Sequence, residues 1–131
     1  MSPASPSAFG PEPDATAALD LQHLAEIRDM PGMKGGSLLT EFVALFLREE
    51  PARFAELTRL AAARDYGELQ RLAHASAGSC AMLGALAMQH AALTVQGAAQ
   101  ANAADAVAAA LVKLDQEWAR LQAALREQRL I

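Results

Sequence analysis

Aromatic side chains make up only 5% of the 131 residues, and β-branched residues are few, while alanine supplies about a quarter of the chain. That balance disfavours sheet and favours an all-helical protein whose helices approach closely. The single cysteine, Cys80, excludes an internal disulfide and reads as a small buried hydrophobe. The net charge is −4, and no stripe of Lys and Arg is present to neutralise phosphates. Nonspecific binding to nucleic acid is therefore not expected. No apolar run reaches the roughly 18 residues that suggest a membrane span. The start, Met1-Ser2-Pro3-Ala4, lacks the positive end and apolar stretch of a secretion signal. The expected location is the cytoplasm, without membrane insertion.

The length suits one domain with a single core. Residues 1–16 carry Pro3, Pro6, Pro11 and Pro13 among Ser and Gly, and are expected to form a flexible tail. A helical domain is expected over 17–131. Its first, short helix is predicted from about 17 to 29, with Leu21, Leu24, Ala25 and Arg28 on one face and His23 at the surface. Met30-Pro31-Gly32 ends it. Ser37 is a candidate N-cap for the next helix. There Leu38, Leu39, Phe42, Leu45 and Phe46 form an apolar face that resumes at Phe54, Leu57, Leu60 and Ala61 after Pro51. The pattern fits one kinked helix or two in line, with Glu49 and Glu50 on a solvated face or in an acidic first turn.

Asp65 and Glu68 look like the N-cap and third position of the following helix, which should run to Ser79 or Ala81. A further helix is predicted from about 85 to 99, with Leu86, His90, Leu93 and Gly97 sharing a face. On it His90 reads as a boundary or core histidine, and Gln96 lies at the edge of that face. After a break at Asn102, Asp105 is the candidate cap of the last helix. Its seam is Val107, Leu111, Leu114, Trp118, Leu121 and Leu125, with Trp118 as core anchor and Arg120, Arg126 and Arg129 outside. Four long amphipathic helices with short connections predict an up-and-down antiparallel four-helix bundle, plus the short N-terminal helix.

The helix around His74 carries the chemistry. Leu69, Leu72, Ala73, Ser76 and Cys80 form its core stripe, and His74 points about 140° from the middle of it. Its surface neighbours are Gln70, Arg71, Ala77 and Gly78. Glycine within a helix costs roughly 1 kcal/mol relative to alanine. Placed one turn from an exposed imidazole, Gly78 leaves room for a tetrahedral group on the nitrogen or for a close partner. The same residues also fit an ordinary surface histidine, with glycine starting the helix end.

Ala73-His74, Gly78-Ser79 and Leu83-Gly84-Ala85 stand in the register of a known pattern, Ala-His-x-Leu-Lys-Gly-Ser followed by Leu-Gly-Ala. The chain thereby resembles the histidine-containing phosphotransfer (HPt) domains of bacterial multistep phosphorelays. Residues 38–51 resemble that family's second helix, 57–65 resemble its continuation, and Gln96 falls where many members carry a polar residue near the histidine ring. Ser76 replaces the usual leucine, and Ala77 replaces the usual lysine, which offsets phosphoryl charge in relatives. Arg71 is the candidate substitute.

The resemblance implies a phosphoryl carrier rather than an enzyme. His74 would accept the group from a receiver-domain aspartate of a hybrid sensor kinase and pass it to a response-regulator receiver. Gly78, Gln96, Arg71 and Ser79 are its supporting candidates, and Gln70, Ala75, Ala77 and Ala81 its docking candidates. No cofactor is expected on this chain, since Mg2+ would sit on the receiver. A monomer is expected. The alternative is a degenerate domain that binds a receiver or another signalling protein without accepting phosphate. A nucleophilic hydrolase is disfavoured because no Ser or Cys has a base at suitable spacing. A bundle metal site is disfavoured because Glu-x-x-His is missing.

Overall fold

The computed structural model describes residues 17–131. Residues 1–16, expected to form a flexible tail, lie outside the described residues. The elements are α1 (Leu21–Arg28), α2 (Leu38–Ala62), α3 (Tyr66–Leu83), α4 (Leu86–Gln100) and α5 (Ala104–Glu127). Among the described residues every regular element is a helix, as the composition predicts. Residues 63–65, 84–85 and 101–103 connect the four long helices, and such short connections make consecutive helices run antiparallel. α3 packs on α4 and α2, α4 packs on α5, and α2 meets α5 to close the ring. The short α1 lies against α2. The result is the expected helical bundle with a short N-terminal helix.

Each bundle turn passes through one residue with left-handed backbone: Arg64 (φ 56°), Gly84 (φ 78°) and Asn102 (φ 53°). At Gly84 the lack of a side chain serves a second purpose. A Cβ there would lie 2.9 Å from Cδ2 of His23. The His23 ring rests on this glycine, and its Nε2 lies 2.8 Å from the Met82 carbonyl. The Asp20 N–H also donates to the Gly84 carbonyl at 2.8 Å. His23 is therefore half-buried and partnered, not the surface residue expected. Gly84→Ala combines a left-handed alanine with a steric clash and should cost about 1–2 kcal/mol, read as a lower urea midpoint with an unchanged slope.

Several local expectations are corrected. α1 buries Leu24 and Ile27, while Leu21, Ala25 and Arg28 face solvent. Ser37 makes no side-chain cap for α2; its hydroxyl donates to the Arg28 carbonyl at 3.1 Å. The preceding loop is instead held by Glu41, which accepts from the N–H groups of Met33 and Lys34. α2 is one continuous helix with Pro51 inside it. The proline itself is exposed, and buried Phe46, Leu57 and Leu60 on either side hold both halves against the bundle. Glu50 is only 1% exposed, because the core-facing stripe of α2 continues through the residue before the proline.

On α4 the buried residues are Ala87, Met88, Ala91, Ala92, Val95 and Ala99, whereas His90, Leu93 and Gly97 are exposed. The inner face is thus nearly the reverse of the one predicted. Alanines dominate it, and small side chains let helix axes come close. Asp105 sits inside the first turn of α5, and Ala103 takes the cap position without a side-chain bond. The α5 seam is as predicted, except that Trp118 is half-buried. It packs on Phe46 with ring centroids 5.7 Å apart. Asp65 does cap α3, accepting from the Glu68 N–H at 3.3 Å.

Candidate functional site

α3 is pressed on one side by α2 and on another by α4, which leaves a narrow open strip. Arg71, His74, Ala75, Gly78 and Met82 are all exposed along it. Their spacings of three and four residues place them on one face of the helix. Behind the strip, Ala73, Ser76, Ala77 and Cys80 are buried. His74 is therefore an exposed imidazole on a helix fixed from behind by packing.

Gln96 of α4 reaches this ring, with its Oε1 3.3 Å from His74 Nδ1, at the long end for a hydrogen bond. With the amide oxygen as acceptor, Nδ1 carries the proton and donates it. Nε2 then keeps its lone pair, on a ring that is exposed. Gln70, Arg71, His74 and Gln96 together line one open hollow. Arg71 is also ion-paired with Glu68, one turn earlier on α3. A Cβ at Gly78 would meet no atom of another helix and no side chain beyond its chain neighbours within 4 Å, so there is open space beside the strip.

Two candidates lie elsewhere. Ala77 is 4% exposed, so it is not a surface contact. The buried stripe of α3 is wider than expected because two helices flank it. Ser79 is five residues beyond His74, about 140° round the helix axis. It lines a separate, mainly apolar hollow with Phe42, Leu45, Phe46 and Met82, between α2 and α3. Ala75 and Ala81 are exposed, and Gln70 is half-buried at the edge of the His74 hollow.

Beneath the strip is a polar cluster that sequence patterning missed. Burial raises the Glu50 carboxyl to about 7, against the opposing charge of Arg53 and a smaller effect of Ser76. Arg53 Nη1 is 3.3 Å from Glu50 Oε2. Ser76 is near enough to favour the carboxylate weakly, yet Glu50 Oε1 and Ser76 Oγ complete no hydrogen bond. Burial, reinforced by the Glu50 charge, pushes the Cys80 thiol up to about 12, which makes it a poor nucleophile. Glu117 is the other deeply buried acid, but Lys113 (3.5 Å) and Arg120 (2.8 Å) satisfy it. The spacings Glu50-x-x-Arg53 and Glu117-x-x-Arg120 were the available signals for both acids. Among the described residues no cluster of His, Cys, Asp and Glu suits a metal ion. No described helix is long and apolar enough to cross a membrane.

The family model for the Hpt domain matches residues 41–124, from the first turn of α2 into the last turn of α5. The chain belongs to the Hpt family. An Hpt domain is a phosphotransfer carrier and works with receiver domains. A solved structure of this kind, the histidine-containing phosphotransfer protein MtHPt2 from Medicago truncatula, matches with a TM-score of 0.74 at 18% identity. That match spans 86% of this chain and 78% of the other, and speaks for the Hpt fold. Comparison with curated proteins finds no match.

Proposed function

We propose that His74 is the phosphoryl acceptor, taking the group from an aspartyl phosphate on the receiver of a hybrid sensor kinase and delivering it to the receiver of a response regulator. The observation that carries this is the exposed His74 ring with its Nδ1 3.3 Å from Gln96 Oε1, an arrangement that leaves Nε2 as the nitrogen with the free lone pair. Nε2 attacks phosphorus, the P–O bond to the aspartate breaks, and the carboxylate leaves with the electron pair. The proton stays on Nδ1, where Gln96 supports the positive charge of the phosphorylated ring. Transfer to the second receiver reverses these steps. Positioning and charge stabilisation dominate such a reaction. Mg2+ belongs to the receiver and offsets phosphoryl charge from that side. The exposed Ala75, Gly78 and Ala81, with Gln70 at the edge, let a partner helix approach closely. Arg71 is the cation nearest in sequence to the acceptor. Ser79 is assigned no contact with the phosphoryl group, since it lines the other hollow. The carrier acts as a monomer in the cytoplasm, where its receivers are.

Incubation with a receiver labelled on its aspartate tests this. An acid-labile, base-stable label should appear on the chain and be absent from His74→Gln. A second reading, a docking module that takes no phosphate, draws on the buried alanine at position 77, where resembling domains carry lysine. Receiver binding without any label would favour it.

A further inference from the structure

Among the described residues lining the hollow at His74, Arg71 is the one permanent cation. It is not idle in the unphosphorylated chain, because Glu68 holds it in an ion pair. Glu68, Arg71 and His74 are spaced three residues apart. Arg71 thus sits midway round the helix between the carboxylate and the ring, one turn from each. Both members of the pair are well exposed, at 72% for the Arg71 side chain and 53% for that of Glu68. Exposed pairs of this kind are weak and readily exchanged. A phosphoryl group on Nε2 would bring nearly two negative charges and oxygens whose geometry suits the guanidinium fork.

We infer that Arg71 is a transferable cation, held by Glu68 in the free carrier and drawn onto the phosphoryl group when His74 is loaded, so that Glu68 sets how strongly the carrier retains phosphate. This rests on His74 being the acceptor. Arg71 takes over the charge-offsetting task from the preceding turn of α3, since the side chain at position 77 is an alanine facing inward. Glu68 opposes loading, because its partner must be released first.

The test is the labelled fraction at equilibrium with a phosphorylated receiver. Measurements use the full chain and the variants Arg71→Ala, Glu68→Gln and the double variant. Arg71→Ala should lower the labelled fraction, expressed as the ratio of loaded to unloaded carrier, about threefold to tenfold. Glu68→Gln should raise that ratio about twofold. In the Arg71→Ala background, Glu68→Gln should change nothing. Affinity for the unphosphorylated receiver should stay within about twofold throughout, and helix content should be unaltered. Normal labelling of Arg71→Ala overturns the inference while leaving the carrier reading intact. So does a Glu68→Gln effect that persists without Arg71, which would mean direct repulsion of the phosphate. A loss of receiver affinity matching the loss of label overturns it too, by assigning Arg71 to docking. A wild-type chain with no label on His74 removes the carrier reading and this inference together.

Discussion

Glu50→Gln should stabilise the protein by about 3 kcal/mol at pH 8 and leave it almost unchanged near pH 4.5. The carboxyl titrates at about 7 in the folded chain against 4.5 for an ordinary glutamate, and every tenfold gain in proton affinity corresponds to roughly 1.4 kcal/mol. The folded state therefore binds the proton more tightly than the unfolded state. The contribution of Glu50 to stability is fully present below pH 4.5, where its carboxyl is protonated in both the folded and the unfolded state. It falls as pH rises, and the loss is complete a little above pH 7. Glutamine keeps the shape, carries no charge and offers Ser76 a donor, so its stability should lack this slope. The groups facing Glu50 are Arg53, Ser76 and Cys80. Of these, Cys80 stays neutral across the window, since its thiol is pushed up to about 12. Urea unfolding of both proteins between pH 4.5 and 8.5 reads the difference directly. Parallel curves would mean that the carboxylate is hydrated in the folded chain and that its burial has no energetic consequence.

Ala92→Leu should cost about 1–3 kcal/mol, the usual range for added methylenes in a filled core, and should disturb the site as well. Ala92 is fully buried on α4, one turn before Gln96 and on the same side of that helix. A leucine there must push α4 away from its neighbour or adopt a poor rotamer. The His74–Gln96 contact is already long at 3.3 Å, so a small displacement breaks it. Two readouts should move together: the thermal midpoint falls, and the proton on His74 Nδ1 exchanges faster with water by NMR. Ala109→Leu, on the exposed face of α5, is the control and should change neither. A stable Ala92→Leu protein with an unaltered His74 proton would show that the helix spacing is not set by alanine.

The His74 ring was legible because the stripe of Leu69, Ala73, Ser76 and Cys80 fixes the rotation of α3, and everything on that helix follows from it. The α5 seam was legible for the same reason, since large apolar residues three and four apart mark a core face without ambiguity. On α4 the same method failed. Leucine and histidine stand out in an apolar pattern while alanine hardly registers, so Leu86, Leu93 and His90 drew the predicted face. The inner face combines four alanines with Met88 and Val95, and leaves His90 and Leu93 outside. Glu50 escaped notice because a charged residue beside a proline looks like a helix end in solvent. Only a continuous α2 turns it inward. The bond from His23 to the far end of α3 joins residues 59 apart in sequence, and no local pattern encodes it. Gln96 is half-buried, and its reach to His74 depends on how closely α3 and α4 approach.

That close approach has a kinetic consequence. Buried faces rich in alanine, with Ala73 and Ala77 on α3 and Ala87, Ala91, Ala92 and Ala99 on α4, have few side-chain torsions to rearrange, so relative motion of the two helices is restricted and the Gln96 amide stays near the His74 ring. On the reading proposed above, His74 reaches its partner already aimed, and little freedom remains to be lost in the encounter. Discrimination between one receiver and another is then left to the rim of exposed side chains, which can change without loosening the aim.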